Sequence, residues 1–120
     1  MPAADAPLPQ TSPPPGDRLQ SEMCSEKLKA LGEPTRLRIV DLLRDGPANV
    51  SEIAESLQLP VVTTSHHLQV LAHAALVDRK KAGRKVVYSL PLDLLPASDA
   101  GHLNLGCCRL ELPTPAADAV

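Results

Sequence analysis

The sequence predicts a mainly α fold carrying a β-hairpin wing, a winged helix-turn-helix, and two observations carry that expectation. The first is a helical stripe over 61–75, where the Thr64 methyl, Leu68, Leu71 and Ala75 recur at i, i+4, i+7 and i+11 and face a core. The second is the pair of strand-like runs that follows, Leu76–Lys80 and Lys85–Leu90, joined by Lys81-Ala82-Gly83-Arg84, in which Gly83 can supply a positive φ. Two short helices joined by a tight turn, with a hairpin behind the second, make the winged arrangement.

Taken in order, the chain opens on a stretch, Met1–Gly16, that holds Pro2, Pro7, Pro9, Pro13, Pro14 and Pro15 and few groups able to build a core. Residues 1–17 are therefore expected to form a disordered tail. A first helix is predicted from Asp17 to Leu31, with Leu19 and Met23 starting its apolar side and Cys24, Leu28 and Leu31 continuing it. Gly32 ends that helix, and Pro34 fits the first position of the next, where a missing N–H costs nothing. Helix two, Pro34–Arg44, is apolar on more than one side, as a central helix would be. Asn49 with Glu52 three positions on reads as a capping box for a short third helix, and Gln58-Leu59-Pro60 is the turn before the polar helix. The winged domain is thus expected to span 18–91, leaving 92–120 as a carboxy-terminal tail.

Charge is segregated along the chain. Residues 61–90 carry five basic side chains against one acidic, while 1–60 and 91–120 are each net −3, in a chain that is −2 in total. The outer side of the polar helix offers Val62, Thr63, His66, Gln69 and His73, with Ser65 and His67 flanking, and no acid. Such a face suits base edges and phosphates, and the adjoining positive hairpin is the footprint of a module that meets a polyanion. Candidate contacts to double-stranded DNA are Thr63, Thr64, Ser65, His66, His67 and Gln69 on the helix, and Arg79, Lys80, Lys81, Arg84 and Lys85 on the wing.

With Tyr88 as its one aromatic residue, the core must be built from Leu, Val, Ile and Ala, and so small a core favours a homodimer. No apolar run approaches the ~18 residues of a membrane span, and the amino terminus lacks a signal pattern, so no membrane partner and a cytoplasmic location are expected. Three cysteines, Cys24, Cys107 and Cys108, are then thiols in a reducing compartment rather than a disulfide framework.

Leu31-Gly32-Glu33-Pro34-Thr35-Arg36-Leu37-Arg38-Ile39, then Ser65-His66-His67-Leu68-Gln69-Val70-Leu71, then Leu76-Val77 and Gly83-Arg84-Lys85-Val86-Val87-Tyr88-Ser89-Leu90, together resemble the ArsR-type metalloregulators over roughly Arg18 to Leu90. That resemblance implies a dimeric winged-helix repressor. It places the helix over 61–73 in the major groove of an inverted-repeat operator and the wing on the flanking backbone, with an inducer releasing the DNA and no cofactor needed to bind it. The sequence departs from the family at Pro60 and Ala75, where a Ser/Thr cap and a Gly are usual. It departs again over Leu92–Leu105, where Pro96, the Ala97-Ser98-Asp99 turn and Gly101 interrupt the family's long dimerisation helix.

The inducer site is expected at the cysteines. Soft thiolates prefer Cu(I), Zn, Cd or trivalent arsenic, and Arg109 beside Cys107-Cys108 favours the thiolate form. Adjacent Cα atoms lie only ~3.8 Å apart, so Cys107 and Cys108 should resist bridging to each other. The resemblance implies As(III) held by Cys24, Cys107 and Cys108, because some arsenic-sensing relatives use a vicinal pair in this region. Zn or Cd on Cys24, His102, Cys107 and Cys108, thiol oxidation, and a regulator with no metal inducer are the alternatives. A thiol reductase would want Cys-x-x-Cys or a cysteine-headed anion loop within an α/β pattern, and the chain has neither, so no enzyme is expected.

Overall fold

The computed structural model describes residues 22–95 and 101–112. The proline-rich stretch 1–17, the first turn of the expected helix and the Ala97-Ser98-Asp99 turn lie outside them. Among the described residues four helices come first: α1 (Glu22–Leu31), α2 (Pro34–Leu43), α3 (Val50–Leu57) and α4 (Val61–His73). Five short strands are also found among them: β1 (Ala48–Asn49) before α3, β2 (Asp78–Ala82) and β3 (Lys85–Ser89) after α4, and β4 (His102–Asn104) and β5 (Arg109–Glu111) further on. β3 lies between β1 and β2 in an antiparallel sheet, and β4 pairs antiparallel with β5.

Local chemistry sets most boundaries. The Asn49 side chain accepts from the Glu52 N–H at 2.9 Å and the Glu52 carboxylate accepts from the Asn49 N–H at 2.8 Å, so the predicted capping box starts α3. That helix ends at Gln58, which is left-handed (φ 56°), with the Leu59 N–H on the Ala54 carbonyl at 2.9 Å. Helix α4 begins at Pro60 with no side-chain cap, as the sequence implies. It ends in the same kind of motif as α3, with Ala75 at φ 62° and the Leu76 N–H on the Leu71 carbonyl at 2.9 Å.

Ala75 makes that left-handed turn at a cost of about 1–2 kcal/mol that glycine would avoid, against about 0.5–1 kcal/mol for the extra freedom glycine has when unfolded. Ala75→Gly is therefore expected to stabilise the domain by about 0.5–1 kcal/mol, read as a rise of a few degrees in Tm. An unchanged or lower Tm would place the strain elsewhere.

The wing is shifted from its expected position. Its strands run over Asp78–Ala82 and Lys85–Ser89, two residues later than predicted for the first, and Ala82 pairs with Lys85 across a two-residue turn of Gly83 and Arg84. Gly83 has the positive φ (65°) that such a turn needs. Leu76 and Val77, read as strand, instead leave α4 and are buried in the core. Strand β1 was not anticipated; its pairing of Ala48 with Tyr88 and Asn49 with Val87 fastens the wing to the start of α3.

Ile39, Ile53, Leu68, Leu71, Leu76 and Leu103 are fully buried. Leu94, Leu103 and Leu105 join this same core, so the segment read as a tail packs against the helices. On α1 the buried residues are Cys24, Ala30 and Leu31, whereas Leu28, expected on the buried stripe, is 47% exposed and Met23 68%. A ten-residue helix lying over one edge of a small core covers a narrower stripe than the sequence pattern implies.

Candidate nucleic-acid interface and thiol cluster

Along α4 the side chains of Thr63, His66 and Gln69 are exposed and those of Ser65 and His67 half-buried, so five of the six helical candidates reach the surface. Thr64 does not. It is fully buried and its hydroxyl donates to the Pro60 carbonyl at 3.0 Å, which withdraws it from the candidate DNA contacts. The reason is its place on the stripe that carries Leu68 and Leu71: methyl and hydroxyl share one β-carbon, and both are taken inward.

All five basic residues of the wing, Arg79, Lys80, Lys81, Arg84 and Lys85, are exposed. Arg79 sets its guanidinium 5.9 Å from the centroid of the Tyr88 ring, a cation–π contact that orients one of these charges. Positive charge thus lies on a two-stranded antiparallel ribbon immediately after the polar helix.

Beside α4 lies a polar network that the sequence pattern does not announce. Glu33 caps α2 by accepting from the Arg36 N–H at 3.0 Å. The Arg36 side chain then donates from Nε to the Ala30 carbonyl at 2.7 Å and lies with Nη1 3.2 Å from Nδ1 of His67. Glu33 Oε2 is 3.8 Å from that same Nδ1. The signal available in the sequence was a carboxylate directly before a helix-starting proline with an arginine three residues on, a spacing that brings both to the helix start.

Burial acts to raise the Glu33 pKa, but it is outweighed by the Arg36 N–H, by the His67 ring when cationic in acid, by the Thr35 N–H and by the Arg36 charge; the net direction is down from 4.5. A carboxyl whose folded pKa is lowered contributes stability above its ordinary value and loses it as pH falls toward the folded one. The Tm advantage of the wild-type chain over Glu33→Gln is accordingly expected to be present at neutral pH and to shrink below about pH 4.5. An advantage that persists unchanged into strong acid would show that the charge is not what Glu33 contributes.

The second candidate site joins α1 to the β4–β5 hairpin. Gly106, at φ 90°, turns the chain, and the Asn104 side chain accepts from its N–H at 3.0 Å, so Cys107 and Cys108 sit at the hairpin's tip. Lys27 of α1 reaches the Leu105 carbonyl at 3.5 Å. Cys24 is buried on α1 and is bonded to Cys107 in a disulfide with a Cα–Cα distance of 6.1 Å. That corrects the expectation of three thiols: among the described residues Cys108 alone is a free cysteine. The physical reason is the docked hairpin, which carries a residue 83 positions distant in sequence to within bridging range of α1.

Cys107 and Cys108 are not bonded to each other; their sulfurs lie 4.0 Å apart, and all three Sγ atoms lie within 4.8 Å of one another. Two Zn–S bonds of ~2.3 Å span up to ~4.6 Å, so once the disulfide is reduced the three sulfurs need only small shifts to share one soft ion. His102, proposed as a fourth ligand for zinc, is not among the residues gathered there; its Nδ1 lies 3.1 Å from Arg109 Nη2. Arg109 also approaches Glu111 at 3.8 Å. Among the described residues no helix is long and apolar enough to cross a membrane.

Residues 33–79 match the model of the "bacterial regulatory protein, arsR family". The chain is 40% identical over 76 residues to the HTH-type transcriptional regulator NmtR of Mycobacterium tuberculosis, covering 63% of each chain. It is 36% identical over 84 residues to the arsenical resistance operon repressor of Staphylococcus xylosus, covering 62% of this chain and 81% of that protein. Among solved structures it resembles the homodimeric winged helix-turn-helix DNA-binding domain of a possible ArsR-family regulator from Mycobacterium bovis. The TM-score there is 0.55 at 32% identity, covering 57% of this chain and 63% of that one. The chain spans less than two thirds of the length of NmtR and of the M. bovis domain. The matched proteins are regulators, which sets the thiol-enzyme reading aside.

Proposed function

The chain belongs to the ArsR family of bacterial regulatory proteins, and from that premise we propose that it is a dimeric DNA-binding repressor whose operator is released when a soft metal or metalloid, As(III) first among them, binds Cys24, Cys107 and Cys108. The observation that carries the DNA reading is the exposed polar face of α4 set beside five exposed basic residues on the wing. In this reading Thr63, Ser65, His66, His67 and Gln69 meet base edges and phosphates. Arg79, Lys80, Lys81, Arg84 and Lys85 lie on the backbone of an inverted repeat with half-sites ~34 Å apart. The exposed Met23 and Leu28 of α1 would be covered by the partner protomer. Cytoplasmic placement belongs to the same reading.

The inducer reading rests on the gathering of three sulfurs from two elements, α1 and the β4–β5 hairpin. A ligand held by all three would fix the hairpin against α1. An effector shifts DNA binding only by its differential affinity for two states, so the fixed arrangement must be the one whose α4 helices fit the half-sites poorly. The Cys24–Cys107 bond supports a second reading, in which thiol oxidation sets the same two elements.

The DNA reading is tested by selecting a duplex from a random pool with the reduced chain and titrating its affinity against salt. Arg84→Ala with Lys85→Ala should weaken all duplexes alike and reduce the slope of log K against log salt by roughly 1 for each phosphate no longer neutralised. An unchanged slope would take the wing off the DNA.

A further inference from the structure

Arg36 reaches two helices other than its own. Its Nε donates to Ala30, whose carbonyl belongs to the last turn of α1 and has no partner within that helix, and its Nη1 lies 3.2 Å from Nδ1 of His67 in α4. A guanidinium has donors only, so at this contact Nδ1 of His67 is the acceptor, the ring is neutral and its single proton is on Nε2. The His67 side chain is 14% exposed. Among the described residues no hydrogen bond engages Nε2, and no buried side-chain nitrogen or oxygen there lacks a partner, which leaves Nε2 in contact with solvent. The neighbouring His66 ring lies 5.7 Å away, centre to centre, and Glu33 Oε2 approaches from the Nδ1 side.

We propose that Arg36 is a positioning residue for DNA recognition: it locks His67 in the tautomer that carries the proton on Nε2, so that α4 presents one defined donor to the nucleic acid. Left free, the imidazole would divide between two tautomers and present an acceptor in part of the population. The planar fork is what allows one side chain to bridge the Ala30 carbonyl and the imidazole nitrogen, and a lysine ammonium does not reproduce that geometry. Arg36 thereby also makes the end of α1 and the recognition helix move as one body. This inference rests on the DNA-binding reading above.

Two measurements on the full reduced chain test it. Long-range proton–nitrogen NMR of the histidine rings should show His67 with a bare Nδ1 and a protonated Nε2 in the wild type, and a tautomer mixture in Arg36→Lys. Affinity for the selected duplex should fall about two- to tenfold in Arg36→Lys, the range for one neutral hydrogen bond, with the salt slope unchanged. His67→Asn keeps an acceptor for Arg36 but removes the outer donor; adding Arg36→Lys to it should cost nothing further, because Arg36 acts through His67. A proton on Nδ1 in the wild type, additive losses, or a flatter salt slope in Arg36→Lys would overturn the inference while leaving DNA binding intact. A wild-type chain that selects no duplex would overturn the DNA reading and this role with it. The wild-type tautomer is read without any substitution, so a variant that fails to fold does not rescue the idea.

Discussion

Arsenite should lower the affinity of the reduced chain for its selected duplex by about 150-fold, the effect of a coupling of ~3 kcal/mol between inducer and DNA sites. Arsenous acid exchanges three hydroxyls for three thiols and releases three waters, so the response requires Cys24, Cys107 and Cys108 all reduced. Cys107→Ser and Cys108→Ser should each bind DNA as the wild type does and ignore arsenite. Cys24→Ser should behave alike if α1 supplies the third ligand. Fluorescence anisotropy of the labelled duplex, with and without arsenite, reads the effect directly. Release of the Cys107→Ser, Cys108→Ser double variant by arsenite would move the inducer site away from the hairpin tip.

Truncating Leu103 should be among the most damaging changes outside the helices. Leu103 is fully buried in the core it shares with Ile39, Leu68 and Leu71, so Leu103→Ala is expected to cost about 2–5 kcal/mol. Against a typical total of about 5–15 kcal/mol this is a large share, visible as a lowered urea midpoint. Leu92, 91% exposed, is the matched control, and Leu92→Ala should change stability by less than about 0.5 kcal/mol. Equal effects at the two positions would mean that the β4–β5 hairpin is not part of the cooperative unit.

The helices and the turn of the wing were legible because their signals are local. The Asn49–Glu52 box, the stripe through Leu68 and Leu71, and the positive φ at Gly83 each depend on residues a few positions apart, and each is present in the structure. What sequence pattern could not supply was pairing at a distance. Strand β1 has two residues and exists only because β3 lies beside it, some forty positions later. Strands of three residues, such as β4 and β5, are too short for a period of two to show, so the pattern over Leu92–Leu105 suggests an interrupted helix although residues 102–104 form a strand.

The candidate site divides in the same way. The basic wing was visible as charge along the chain, whereas Thr64, placed on the buried stripe by its methyl, takes its hydroxyl inward as well, to the Pro60 carbonyl. The three cysteines were identifiable by chemistry, but their meeting depended on the hairpin docking on α1. The Arg36–His67 contact spans 31 positions and joins two segments with separate local signatures, one a helix start and the other a DNA face.

The bond between Cys24 and Cys107 closes a covalent ring around nearly the whole winged domain, since the two residues are 83 positions apart. Closing a loop of that length removes denatured-state entropy equivalent to about 4.5 kcal/mol in the chain-entropy model. An ion gripping the same sulfurs closes the same ring. The molecule that takes this regulator off its DNA would then also be a staple for its fold, and melting temperature and operator affinity would move in opposite directions along a single titration. On the proposed inducer reading, the ligand-bound protein would be the form better protected from unfolding and proteolysis. Derepression would persist for as long as the inducer does, without the regulator being degraded.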